Sequence, residues 1–270
     1  MNTDDFRYMW RGKHLQTLPL PEARLLSPID IRGTSKNHAL LLLHGFSSSP
    51  AVYRELIPSL TMYDAIVCPV LPGHADNLAS FSSVKAREWL TAAEASCAHL
   101  LRDYKTVDVM GLSLGGLLAC HLSNRFALNH LYLLAPSLSL HLKTTPALKL
   151  ARFLYKLGFR TIRNRAGNLH TSSFSELAYR KLPIAAIIEI LDLVNTFEFL
   201  PPTCPVDLFL GTFDEVVNSQ EVVKLFTGLP NAKVHWLTNS AHVLALDGDI
   251  AAIISCIKNN WQDEGLNAMS

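Results

Sequence analysis

The sequence predicts an α/β fold: a mostly parallel central sheet, helices on both faces, and an inserted helical cap. Three observations predict it. Short apolar runs, closed by glycine or proline, alternate with longer segments of helical period. Runs such as Ala39–Leu43 are apolar at every position, as strands covered on both faces are. The alternation then stops between Ser137 and Pro205.

In chain order, Ala39–Leu43 reads as a buried strand broken by His44-Gly45, and Ala51–Leu60 has helical spacing. Ala65–Val67 is a second strand, closed by Cys68-Pro69 and then Pro72-Gly73. A long helical stretch, Ala86–Leu101, precedes the strand Val107–Met110, which runs into Gly111. Leu114–Arg125 is helical, and Leu131–Leu134 is a strand stopped by Pro136. After the break come the strand Val206–Leu210, the helix Val216–Phe226, the strand Lys233–Leu237 and a final helix, Ile250–Trp261.

Between Ser137 and Pro205 no segment reads as a strand. Helical patterns cover about 146–158, 175–181 and 183–199. Nine Lys and Arg face four acids there, so the segment carries a net +5 (9 − 4). The expected division is a core of residues 1–136 and 206–270 with a helical cap at 137–205. Ligands of such sheets sit at the carboxyl ends of the strands.

The chain has 270 residues, 49% hydrophobic and 17% charged, enough for one large core. Its net charge of +1 gives no global attraction to nucleic acid. Cysteines 68, 97, 120, 204 and 256 form no CxxC pair and no metal-ligand spacing. An odd number of well-separated thiols fits a reducing compartment. Met1–Trp10 holds Asp4 and Asp5 and no apolar run, unlike a secretory or transit segment, and no stretch is long enough for a membrane span. A soluble cytoplasmic enzyme is expected.

The chemistry centres on Gly111-Leu112-Ser113-Leu114-Gly115-Gly116, between a strand and a helix. A serine hydroxyl is a poor nucleophile until a base takes its proton. A sharp strand-to-helix turn presents the oxygen clear of the sheet, strains the serine backbone and crowds the residues two places away. Glycines at 111 and 115 meet that demand, and Gly116 lets the helix approach the strand. The positive end of the helix then faces the charge that develops on the substrate. Ser113 is the expected nucleophile.

On a strand–elbow–helix scaffold the acid and then the histidine follow the serine in the chain. Of eleven histidines, only His235 and His242 lie late enough. His235 falls inside the strand Lys233–Leu237, whereas His242 lies in the loop after it, where an imidazole can reach Ser113. His242 is the expected base. After Val206–Leu210 the chain reads Gly211, Thr212, Phe213, Asp214, Glu215. Asp214 is the expected acid, holding the tautomer of the imidazole and stabilising the imidazolium, and it also suits a cap for the following helix. Glu215 is the alternative.

The strand Ala39–Leu43 runs into His44-Gly45-Phe46-Ser47. A loop there supplies a backbone donor to an oxyanion hole, here assigned to Phe46, with the N–H of Leu114 as the second. The Ser47 hydroxyl is a further candidate donor. His44 reads as a loop-former, since it precedes the nucleophile.

His44-Gly45-Phe46, Pro72-Gly73-His74, Gly111 to Gly116, Gly211 with Asp214, and His242-Val243 together resemble the α/β-hydrolase superfamily, in particular its small bacterial carboxylesterases and monoacylglycerol lipases. The resemblance runs from about Ala39 to Trp261. It implies an α/β-hydrolase fold and hydrolysis of short- or medium-chain acyl esters through an acyl-enzyme, with no cofactor and no metal. Ala241 stands where the family often has glycine before the histidine, and Ala75 where a second glycine is common; neither touches the reacting groups.

Other functions use the same residues. A thioesterase or acyltransferase shares the triad and differs in its acceptor, and a non-catalytic ligand-binding protein on this scaffold typically lacks a triad member. The expected partner is a small acyl ester, with no nucleic acid. Cap residues such as Phe153, Leu154, Leu157 and Ile184 either pack the cap on the core or face a lipid surface transiently, with basic residues 152, 156, 160, 163 and 165 meeting anionic headgroups.

Overall fold

The computed structural model describes residues 3–267, so the extreme ends of the expected core halves lie outside the described residues. Two strands at the N-terminus, β1 (Phe6–Trp10) and β2 (Lys13–Thr17), form a hairpin. Its tip, Arg11-Gly12, has positive φ at both positions, as a tight two-residue turn between twisted strands requires. There follow β3 (Ile29–Arg32), β4 (His38–Leu43), β5 (Ala65–Cys68), α1 (Leu78–Ser83), α2 (Ala86–Asp103), β6 (Thr106–Leu112), α3 (Leu114–Ser123) and β7 (His130–Leu134). The segment 137–205 contributes α4 (Thr144–Lys156), β8 (Thr161–Arg163), β9 (Glu176–Tyr179), β10 (Lys181–Pro183) and α5 (Ile184–Thr196). The chain closes with β11 (Val206–Gly211), α6 (Ser219–Phe226), β12 (Ala232–Leu237) and α7 (Ile250–Asn267).

Seven strands form the main sheet in the order β12-β11-β7-β6-β4-β5-β3. Every neighbouring pair is parallel except β3 with β5. The predicted mostly parallel α/β sheet with flanking helices is therefore present. Successive side chains of a strand point to opposite faces. Accordingly Leu41 and Leu43 of β4 share one buried cluster with Trp89 and Cys97 of α2 and Leu117 of α3. Leu40 and Leu42 share a second with Ile253 and Ile257 of α7. Burial on both faces explains the unbroken apolar run.

β4 lies between β5 and β6, so the chain reverses its direction across the sheet at this point. Leu43 pairs with Gly111 at the carboxyl ends of β4 and β6. The loops that follow these two strands therefore leave side by side, at the place where parallel sheets open a binding crevice.

The structure corrects four local expectations. Residues 51–60 form two short 3-10 turns, Pro50–Tyr53 and Ile57–Ser59, in place of a helix. Pro58 has no N–H to continue an α-helical ladder. The edge strand β3 is an addition. The segment 137–205 does contain strands, and the helical pattern at 175–181 is one of the places they occur. There β9 pairs with β1, Phe6 opposite Tyr179 and Met9 opposite Glu176. A partner about 170 positions away overrides the helix-forming character of Glu-Leu-Ala. Through that pairing the small sheet β2-β1-β9 joins the N-terminal hairpin to the segment 137–205. Finally, α6 begins at Ser219, because Val217 forms a bridge with Leu140.

All five cysteines are free thiols. Among the described residues, no helix is long and apolar enough to cross a membrane.

Candidate active site

Ser113 stands between β6 and α3 with φ 56° and ψ −114°, a conformation a non-glycine residue adopts only where its surroundings enforce it. The neighbours show how. A Cβ on Gly111 would lie 2.1 Å from the carbonyl oxygen of Gly115, and a Cβ on Gly115 would lie 1.9 Å from that of Leu43. No side chain fits at either place. The Ser113 N–H donates to the Leu134 carbonyl at the end of β7 (2.9 Å), which fixes the turn to the sheet.

The loop after β4 approaches the same serine. A Cβ built on Gly45 would be 3.4 Å from Cβ of Ser113. His44 is wholly buried; its Nδ1 donates to the Gly45 carbonyl (3.0 Å) and its Nε2 accepts from the Leu71 N–H (3.0 Å). Burial holds its pKa down at about 4, so the ring is a neutral bridge between two loops. The Phe46 ring is seated against Phe81, Trp89 and His74, which anchors the backbone before Ser47. Among the described residues, no group accepts from the N–H of Phe46 or of Leu114, the first residue of α3.

His242 and Asp214 are in direct contact. Nδ1 of His242 donates to Oδ2 of Asp214 at 2.8 Å, with side-chain exposures of 11% and 1%. The other Asp214 oxygen accepts from the N–H groups of Val216 and Val217, both at 2.8 Å. Asp214 therefore shapes its own loop and holds the imidazole at once. Glu215 is exposed and makes no contact with His242. Burial disfavours the imidazolium, but the charge and hydrogen bond of Asp214 and the charge of Glu176 outweigh it, and the His242 pKa rises above its ordinary value. His235 turns elsewhere, bonding Asp207 through Nε2 at 2.5 Å.

Ser113 and His242 line one cavity of about 480 Å³, together with Phe46, Ser47 and Glu176. The Ser113 hydroxyl bonds the hydroxyl of Ser137 (2.9 Å) in this arrangement. Leu142, Ile162, Leu182, Val216 and Val243 give the cavity an apolar wall.

Four contributors lie outside the motifs. Asn168 ties the two loops of the acid and the histidine together. Its Oδ1 accepts from the N–H of Glu215 (3.1 Å) and of His242 (3.2 Å), and its carbonyl accepts from His242 and Val243. Asn164, which is buried, donates to the Ser47 hydroxyl (3.2 Å) and to the Tyr179 carbonyl (2.8 Å). Glu176 is a buried carboxyl facing the cavity, accepting from the Gly167 N–H at 2.7 Å. Its burial raises its pKa against the opposing effects of the Gly167 N–H, His242 and Arg54. Ser137 is the fourth. All fall in 137–205, where the sequence predicts only a helical cap; Asn164, Gly167 and Asn168, lying between its helical patterns, are the one local signal.

The model of the alpha/beta hydrolase family matches residues 40–253. A thermostable monoacylglycerol lipase of Bacillus sp. (strain H-257) is 26% identical over 224 residues, covering 80% of this chain and 86% of the relative. Among solved structures, one from work on LipS and LipT, two metagenome-derived lipolytic enzymes, superposes with a TM-score of 0.80 at 23% identity, over 88% of this chain and 98% of that one. A monoacylglycerol lipase of Paleococcus ferrophilus gives 0.65 at 14% identity, over 85% and 97% of the two chains.

Proposed function

Because the chain belongs to the alpha/beta hydrolase family, we propose that it is a serine carboxylic-ester hydrolase for short- or medium-chain acyl esters, monoacylglycerols among them. The observation that carries this reading is the cavity itself: a serine on a strained elbow and a histidine held by a buried aspartate face the same space. The lipase relative supports the ester, and its name supports the glycerol alcohol.

In this reading Oγ of Ser113 leaves Ser137 and attacks the ester carbonyl carbon while its proton passes to Nε2 of His242. Asp214 stabilises the imidazolium. The negative charge on the tetrahedral oxygen is met by the N–H groups of Phe46 and Leu114, each such donor contributing about 3 kcal/mol. The ester C–O bond breaks and the alcohol leaves with the proton from His242. Water then attacks the acyl-serine, gives its proton to the same imidazole and releases the acid. The apolar wall receives the acyl chain, and Glu176 and Asn164 offer polar partners to a hydroxylated alcohol. No cofactor or metal takes part.

The segment 137–205 acts in this reading as a cap, with part of its outer surface meeting lipid. Leu150, Phe153, Leu157 and Phe159 are exposed on and just beyond α4, beside Lys149, Lys156 and Arg160. Leu142 and Ile162, which line the cavity, are exposed too, so the lipid-facing side includes the cavity mouth. A cytoplasmic location belongs to the same reading, and the widely spaced free cysteines support it.

The test is a series of p-nitrophenyl acyl esters with monoacylglycerols included. Turnover should peak at short or medium chains, and absence of turnover on every ester would overturn the reading.

A further inference from the structure

Beside the catalytic cavity lies a second cavity of about 500 Å³, lined by His14, Thr161, Ile162, Arg163, Arg180 and Lys181. Ile162 and Arg163 line both cavities, so the two share a wall. The walls come from β2, from the ribbon β8–β10 and from the residue before β10.

This second cavity is built against its own electrostatics. In the ribbon, Arg163 stands directly opposite Lys181. Opposed like charges destabilise an antiparallel pair. Among the described residues, Arg163, Arg165, Arg180 and Lys181 form no ion pair with a carboxylate that would offset them. The Arg163 guanidinium donates to the Gly12 carbonyl at 3.3 Å. His14 adds a solvent-shielded Nε2 with no hydrogen-bond partner. Burial, together with the charges of Arg163, Arg7 and Arg180, lowers its pKa, which keeps that ring neutral amid the cations.

The planar guanidinium fork binds phosphate and carboxylate oxygens with paired hydrogen bonds, and an ammonium adds a point charge. We propose that this cavity is a phosphate subsite, and that the enzyme accepts acyl esters whose alcohol carries a phosphate. The inference rests on the ester-hydrolase reading above. The scissile ester would sit at Ser113 with the phosphate among Arg163, Arg180 and Lys181. Hydrolysis proceeds as before: the acyl–oxygen bond breaks, water supplies the acid's oxygen, and the phosphorylated alcohol leaves intact with the proton from His242.

The test compares two soluble substrates below their aggregation limit, hexanoylglycerol and hexanoylglycerol phosphate, with p-nitrophenyl butyrate as a third. Turnover of p-nitrophenyl butyrate establishes the ester-hydrolase reading independently. At about 50 mM salt the phosphorylated substrate should be favoured by about tenfold in kcat/KM, chiefly through KM, and the preference should collapse near 500 mM salt. The double variant Arg180→Gln/Lys181→Gln should bring the ratio of the two glycerol substrates to about one; if it does not fold, Lys181→Gln alone should reduce the ratio by about threefold. Glycerol 3-phosphate should compete with p-nitrophenyl butyrate in the parent protein more strongly than glycerol does. A ratio near one in the parent protein, or a ratio unchanged in the variants, overturns the proposal. So does a variant defect confined to binding of phosphatidylglycerol vesicles, which would assign the cations to a bilayer.

Discussion

Nδ1 of His242 and Oδ2 of Asp214 are 2.8 Å apart, and the other oxygen of the same carboxylate closes the loop through the N–H groups of Val216 and Val217. The carboxylate that orients the imidazole is therefore itself oriented by its own backbone. Asp214→Asn keeps an oxygen for the loop but presents the wrong partner to Nδ1. Its kcat on p-nitrophenyl butyrate should fall by about 10⁴-fold with the circular dichroism spectrum retained. Glu215→Gln, at an exposed side chain, should stay within about twofold of the parent.

The pH profile should carry the signature of Glu176. His242 serves as a base only when neutral, and its pKa is raised above the ordinary 6.5. Activity should therefore be lost as pH falls through a value above 6.5. Glu176→Gln removes a negative charge that favours the imidazolium, so the acidic limb of kcat/KM should move to lower pH. A profile unchanged in that variant would separate Glu176 from His242.

Gly115→Ala should fail structurally. The added carbon would lie 1.9 Å from the Leu43 carbonyl, in rigid backbone. A cost of about 3 kcal/mol or more is expected, seen as a Tm lower by about 6–12 °C or as loss of soluble protein.

Asp207 supplies a test of acid stability remote from the chemistry. Its buried carboxylate accepts from His130 (2.7 Å), His235 (2.5 Å) and Asn260 (2.7 Å). Burial alone would raise its pKa, but these three donors hold it far below the ordinary 3.8. A depressed folded-state pKa contributes stability above the unfolded value, and that stability is lost as pH falls below it. Asp207→Asn should lower Tm by several degrees at pH 7, and the gap should narrow below pH 3.8.

The exposed apolar face of α4 predicts lipid binding. Phe153→Ser with Leu157→Ser should reduce co-sedimentation with anionic vesicles several-fold. Binding that ignores the anionic lipid content would remove the role given to the neighbouring basic residues.

The main sheet was legible because its strands are covered on both faces: apolar runs such as Leu40–Leu43 need no partner in view to be recognised. The elbow was legible because backbone crowding at 111 and 115 admits only glycine. The Asp214–His242 contact followed from chain order and loop position. What escaped is what depends on distant pairing. β9 is a strand because β1 lies beside it, and nothing within 175–181 encodes that. For the same reason Glu176, carried by β9, and Asn164 and Asn168, which tie together loops from three parts of the chain, were invisible. The resting bond between Ser113 and Ser137 also joins two loops by tertiary contact alone.

The central claim is that Ser113 is the nucleophile. Intact-mass and peptide analysis after exposure to a fluorophosphonate, with p-nitrophenyl butyrate turnover measured in parallel, tests it most directly. One adduct on Ser113, with both the adduct and the turnover absent in Ser113→Ala, is the predicted result. Full turnover by Ser113→Ala, or labelling at another residue with Ser113 untouched, would contradict it.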